Sequence, residues 1–195
     1  MNSRTTEITR TTNETDIRLA LNLDGDGKAE VSTGIGFLDH LVTALARHAG
    51  FDLTLKCQGD LQVDDHHTAE DCALVLGEAL DEALGERRGI ARFGWAYAPL
   101  DEALARAVVD LSGRPWAQVE LGLRRERLGT LATENVAHVG RSLATASRAS
   151  IHLDVLRGEN DHHRAEAAFK ALALALRQAV GRDGGDGVPS TKGVL

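Results

Sequence analysis

From Thr15 to Leu23 polar and apolar residues alternate, with Ile17, Leu19, Leu21 and Leu23 on one face. Period-two alternation marks a half-buried strand. The run meets Asp24-Gly25-Asp26-Gly27 and resumes from Lys28 to Thr33, which predicts a hairpin closed by an Asp-Gly turn. The DGDG does not have the Gly and Glu spacing of an EF-hand, so it reads as a turn and not as a calcium loop. From Phe37 to His48 the period changes, and the Leu38, Leu41, Leu45 stripe predicts a helix. Phe51 to Cys57 alternates again as a strand. Asp64 to Leu84 reads as a long amphipathic helix, with Asp64 or Asp65 as N-cap and Gly85 as stop.

The second half carries strand-like runs at Ala91 to Ala98 and Ala105 to Leu111, a turn at Ser112-Gly113-Arg114-Pro115, and a further strand at Trp116 to Leu123. A helix around Glu134 to Ser147, a strand at Ser150 to Leu156 and an Ala- and Leu-rich helix from Asp161 to Val180 follow, then a Gly-rich tail. Both halves therefore run strands, helix, strand, helix. Two open sheets with helices on one face would each leave an apolar helix layer, and pairing those layers buries both. This predicts a single domain over residues 1–195 in two copies, about 1–90 and about 91–195.

Asp65-His66-His67-Thr68-Ala69-Glu70 recurs 96 positions on as Asp161-His162-His163-Arg164-Ala165-Glu166. One more His precedes each pair in the preceding helix, His40 and His138. The duplication thus carries six of the eight His. Imidazole and carboxylate are the usual ligands of first-row divalent metals. Residues four apart share a helix face, so His66 with Glu70, and His162 with Glu166, can reach one ion. Adjacent His diverge by about 100°, so a His-His pair feeds two ions more readily than one. Six imidazoles and two carboxylates divide into two sites of three His and one Glu, leaving positions open for a substrate. His48 and His152 have no such partners and read as structural, as do the thiols of Cys57 and Cys72.

Composition narrows the function classes. At 43% hydrophobic over 195 residues the chain can bury a core. A net charge of −7 argues against nucleic acid as the main partner. No apolar run approaches the roughly 20 residues that cross a bilayer, and the polar stretch Met1 to Thr15 has no signal-like apolar region. Two Cys cannot make a disulfide framework, which suits a reduced cytoplasm. Arg92, Arg114, Lys170, Ser190 and Lys192, the last two in a Gly-rich Ser-Thr-Lys-Gly segment, suggest phosphate recognition beside a metal centre. Spacing alone assigns nothing to Glu14.

At these positions the sequence resembles the imidazoleglycerol-phosphate dehydratase family of histidine biosynthesis. The resemblance rests on Arg10 to Thr15, Gly34 to His40, Val63 to Asp71, Asp110 to Pro115, Asn160 to Ala171 and Pro189 to Gly193. It implies an α+β fold with ribosomal-protein-S5-domain-2-like halves and helices packed between two four-stranded sheets. It implies two manganese ions per active site, on His40, His66, His67, Glu70, His138, His162, His163 and Glu166. It also implies phosphate binding by the five groups above and Glu14 as acid/base. Conversion of imidazole glycerol phosphate to imidazole acetol-phosphate would proceed through a dimetal-bound imidazolate. The partners implied are that substrate and further copies, in a 24-subunit homo-oligomer with shared active sites. Similar proteins usually carry Glu-His-Phe-Phe where this chain has Ala137-His138-Val139-Gly140, and Glu134-Asn135 is displaced likewise. A dinuclear metallohydrolase acting on a small phosphorylated substrate would use the same ligands but release a hydrolysed fragment. A metal-storage bundle would not need the basic groups.

Overall fold

The computed structural model describes residues 4–195, so residues 1–3 of the polar N-terminal stretch lie outside the described residues. The first half runs β1 (Thr5–Thr11), β2 (Thr15–Asn22), β3 (Ala29–Ser32), α1 (Gly36–Ala49), β4 (Asp52–Gly59) and α2 (His66–Leu84). The second repeats the order as β5 (Phe93–Leu100), β6 (Ala103–Asp110), β7 (Trp116–Glu120), a small hairpin of β8 (Arg127–Leu128) and β9 (Leu131–Ala132), α3 (Thr133–Ala146), β10 (Ser150–Arg157) and α4 (Asp161–Val180). The two large sheets have matching orders, β1-β2-β4-β3 and β5-β6-β10-β7. In each, the first two strands form an antiparallel pair and the third pairs parallel with the fourth.

This topology corrects the predicted hairpin. Strands β2 and β3 do not pair, because β4 lies between them. The Asp24–Gly27 segment instead crosses over β4, where Asp52 Oδ1 accepts the amides of Asp26 and Lys28, both at 2.9 Å. Alternation identified both strands but carries no information about partners. The actual hairpin partner, β1, is a Thr-rich edge strand that alternates exposed and half-buried positions and contains no fully buried residue. A polar edge resists strand addition by other chains, and for the same reason gives little hydrophobic signal. The third strand of the second half ends at Glu120 and not Leu123, and the β8–β9 hairpin is unpredicted.

The helices form a layer between the sheets, and they pair across the halves: α1 packs on α4, and α2 on α3. Strand β2 covers α2, and β5 and β6 cover α4. Small residues set the spacing. Ala165, Ala168, Ala171, Ala175 and Ala179 of α4 are all buried, and a Cβ at Gly94 of β5 would fall 1.9 Å from the Ala175 carbonyl oxygen. At the α2–α3 crossing, a Cβ at Gly77 would lie 2.7 Å from Ala146 Cβ and 2.8 Å from the Leu143 carbonyl oxygen. Among the described residues, no helix is long and apolar enough to cross a membrane.

The Gly77 contact is with backbone and cannot be relieved by rotating a side chain. Gly77→Ala should therefore cost about 1–3 kcal/mol, read as a thermal midpoint lowered by roughly 2–4 °C per kcal/mol. An unchanged midpoint would show that the helices can separate freely at this crossing.

Candidate metal centre

Helices α2 and α4 begin in the same way. Asp64 Oδ1 accepts the His66 amide at 2.8 Å, and Asn160 Oδ1 accepts the His162 amide at 2.9 Å. Asn160 is the N-cap of α4, whereas Asp64 stands one residue ahead of Asp65, the N-cap of α2; in both cases the His-His pair lies in the first helical turn. The aspartate that directly precedes each pair is buried in both copies and faces the second half. Asp65 Oδ2 accepts from the Ala132 amide at 2.7 Å and Asn135 Nδ2 at 2.9 Å. Asp161 Oδ2 accepts the Arg124 and Arg125 amides at 2.8 and 2.7 Å. Burial works against the charge of Asp65, but the Asn135 and Ala132 bonds outweigh it and hold the carboxyl below its ordinary range.

Because the helices pair across the halves, the candidate ligands sort into two groups of mixed origin. His40 of α1 meets His162 and Glu166 of α4, and His138 of α3 meets His66 and Glu70 of α2. In each group the three donor atoms lie within 4.8 Å of one another. Glu166 Oε2 is 2.9 Å from His40 Nε2 and 3.1 Å from His162 Nε2. Glu70 Oε1 is 2.9 Å from His138 Nε2, and Oε2 is 3.7 Å from His66 Nε2. Two imidazoles and a carboxylate suit a first-row divalent ion, and three protein ligands leave coordination positions open.

His67 and His163 belong to neither group. His67 Nδ1 is 3.0 Å from Asp60 Oδ2, and its Nε2 lies 3.6 Å from Glu14 Oε1. His163 Nδ1 is 2.8 Å from Glu102 Oε2. Each of these carboxylates raises the pKa of its imidazole against the opposing effect of burial. A carboxylate on Nδ1 fixes the tautomer and leaves Nε2 as the ligating nitrogen. His48 is half-buried, its pKa lowered by burial and by Lys170. His152 is exposed, Cys72 is buried and Cys57 half-buried.

The basic residues fall in two places. Lys170 is one turn beyond Glu166 and pairs with it at 2.6 Å. Arg92 forks onto Asp110 at 2.7 and 3.1 Å and donates to the Pro189 carbonyl at 2.8 Å, which ties the C-terminal tail to β5. Ser190 Oγ accepts the Lys192 amide at 3.1 Å. The exposed Arg114 adjoins Gly113, where a Cβ would fall 2.6 Å from the Leu195 carbonyl carbon. The Arg92 amide bonds the Ala179 carbonyl at the far end of α4. From Glu166 to Ala179 the helix rises roughly 20 Å at about 1.5 Å per residue. Within one chain, Arg92 and the tail are thus well separated from the α1–α4 ligand group.

With this geometry in place, comparison with known proteins is specific. The sequence pattern of the family described as imidazoleglycerol-phosphate dehydratase (IGPD) matches residues 33–176. The chain belongs to the imidazoleglycerol-phosphate dehydratase family. It is 57% identical over 206 residues to the imidazoleglycerol-phosphate dehydratase of Candida glabrata, covering 96% of this chain and 98% of that protein. It is 60% identical over 192 residues to the one of Phytophthora nicotianae, covering 98% of this chain but only 42% of that longer protein. The crystal structure of IGPD from Pyrococcus furiosus in complex with (S)-C348 superposes with a TM-score of 0.83 at 41% identity, covering 96% of this chain and all of that one. The chain is therefore a lyase of histidine biosynthesis, with the duplicated α+β architecture that the resemblance implied. All eight candidate ligands of this dehydratase fold lie inside the matched segment.

Sequence reasoning missed the groups that orient the imidazoles: Asp60, Glu102 and Asn135. A signal existed for two of them. Glu102 stands immediately before β6 as Glu14 stands before β2, and Asn135 is three residues, about one turn, before His138.

Glu102 accepts the Asn160 and Glu159 amides as well as His163, and these bonds hold its carboxyl down at about 2 from an ordinary 4.5. A depressed carboxylate stabilises the fold above the unfolded pKa and loses that contribution as pH falls through the folded one. The metal-free protein should lose thermal stability between about pH 4.5 and 2 more steeply than Glu102→Gln. Parallel profiles would contradict the assignment.

Proposed function

We propose that the chain dehydrates imidazole glycerol phosphate to imidazole acetol-phosphate and water, using two divalent ions per active site. Manganese is the ion the family resemblance implies. The observation that carries this reading is the pair of matched ligand groups, His40–His162–Glu166 and His66–Glu70–His138. His67 and His163, with Nδ1 held by a carboxylate, would supply the remaining imidazole of each four-ligand set. When bound, the ions supply Lewis acidity and a template for the substrate's imidazole.

The chain's own residues supply the rest. Glu14, exposed in the β1–β2 turn beside His67, is the general acid/base for the departing hydroxyl. Arg114, Ser190 and Lys192 take the phosphate, with Arg92 fixing the tail that carries two of them. Lys170 neutralises Glu166 and adds a cation near the ligand group. The roughly 20 Å along α4 exceeds the span of a glycerol phosphate chain, so Arg92 and the tail would serve a metal centre on another copy. Self-association has a further support in the second sheet, whose surface exposes Phe93, Trp95, Tyr97, Val108 and Trp116. Large exposed apolar patches mark association surfaces. The family resemblance implies an assembly of 24 copies.

Protein stripped with chelator and resupplied with Mn²⁺ should form ketone from imidazole glycerol phosphate with its phosphate intact. Metal-independent ketone, or release of inorganic phosphate, would overturn the reading. Glu14→Gln should lose about 10²–10⁴-fold in turnover while binding as much metal as the wild type, and near-normal turnover would remove Glu14 from its role. Sharing of sites has its own test. Glu166→Gln and Arg114→Ala, each inactive alone, should recover partial activity when dissociated and reassembled together. No recovery would place each site within one chain.

A further inference from the structure

The two ligand groups are matched in backbone but not in what stands behind them. At the α2–α3 group, buried Asn135 lies between Asp65 and His66. Its Nδ2 donates to Asp65 Oδ2 at 2.9 Å, and its Oδ1 is 3.0 Å from His66 Nδ1. A carboxylate only accepts, so the amide must turn its nitrogen toward Asp65 and its oxygen toward His66. An oxygen facing His66 Nδ1 requires a proton there, which leaves the lone pair on Nε2, toward Glu70. The chain Asp65–Asn135–His66 has one direction.

At the α1–α4 group the corresponding position, three residues before His40, is Phe37. Its ring meets His162 edge-on with centroids 5.0 Å apart. An aromatic edge cannot accept the Nδ1 proton, and Nδ1 of His162 has no hydrogen-bond partner among the described residues. Asp161 faces the Arg124 and Arg125 amides instead. Glu166 is also claimed by Lys170 at 2.6 Å, whereas Glu70 has no lysine or arginine ion pair among the described residues.

We propose that Asn135 is a positioning residue that fixes His66 in its ligating tautomer, making the two groups unequal, so that His66–Glu70–His138 takes its divalent ion more tightly than His40–His162–Glu166. This rests on the dimetal reading above and adds an order of loading to it.

The test is Mn²⁺ binding to the full-length, chelator-stripped protein against a competing chelator. Glu70→Gln and Glu166→Gln mark which class of site belongs to which group. The wild type should show two classes, the tighter one lost in Glu70→Gln. Asn135→Leu, similar in size but without an amide, should weaken that class about 10–100-fold and leave the other unchanged. Asp65→Asn should leave that class nearly unchanged, because the Ala132 amide donates to the same oxygen as Asn135 and keeps an acceptor turned toward Asn135 Nδ2. Asn135→Asp keeps an oxygen for the His66 Nδ1 proton and should retain the tighter class that Asn135→Leu weakens, which a purely structural role would not predict. Should Asn135→Leu fail to melt cooperatively, Asn135→Ala takes its place in the comparison with Asn135→Asp. Equal weakening of both classes, no weakening, or a tighter class lost in Glu166→Gln would overturn the proposal. A wild type that binds no Mn²⁺ would overturn the metal reading itself, and this inference with it.

Discussion

The candidate site depends on how four amphipathic helices bury their apolar faces. Each half supplies two, and neither half's helices pack mainly on each other: α1 lies on α4 and α2 on α3. Val75, Leu76, Ala79 and Leu80 of α2, with Val136, Val139 and Leu143 of α3, are buried by that arrangement. Burial of a Val- or Leu-sized side chain stabilises by about 1.5–3 kcal/mol. Separating the halves would return several of them to water. Gly77 and Gly94 set how closely the layers approach.

The chemistry follows from that exchange of partners. A His in the first helix of a half cannot meet the His-His-x-x-Glu of its own half, because that helix packs on the other one. Each ligand group therefore joins two halves, and buried Asp65 joins the same halves by accepting the Ala132 amide, whereas Asp161 accepts amides of its own half. Duplication gave the site its two-fold pattern, and the residues behind the ligands have since diverged. Asn135 and Phe37 occupy matching positions with opposite hydrogen-bonding capacity. Glu14 and Glu102 precede matching strands, yet Glu102 is occupied by the Glu159 and Asn160 amides while Glu14 stands exposed.

Much of this is legible in the sequence, and what is not has physical reasons. The 96-residue repeat singles out the candidate His-His-x-x-Glu ligands, and period-3.6 and period-2 patterns locate all four helices and most strands. Pairing is another matter. The Asp24–Gly27 segment looks like a hairpin turn, but register and partner choice arise from long-range packing that a local window does not contain. Strand β1 escapes because its edge position requires no fully buried side chain. The pairing of Lys170, one of the five phosphate candidates, with Glu166 follows from their shared helix face. The orienting carboxylates Asp60 and Glu102 are remote from their imidazoles in sequence or hidden in turns, so spacing does not reveal them.

The helix pairing gives one chain two separate candidate metal groups, each assembled from both halves. Equilibrium dialysis against Mn²⁺, with bound metal counted per chain, tests it most directly. The account predicts two ions in the wild type, one in Glu70→Gln and one in Glu166→Gln, with the second helix of either half still folded. Loss of both ions from either single substitution, or an unchanged count in both, would contradict it.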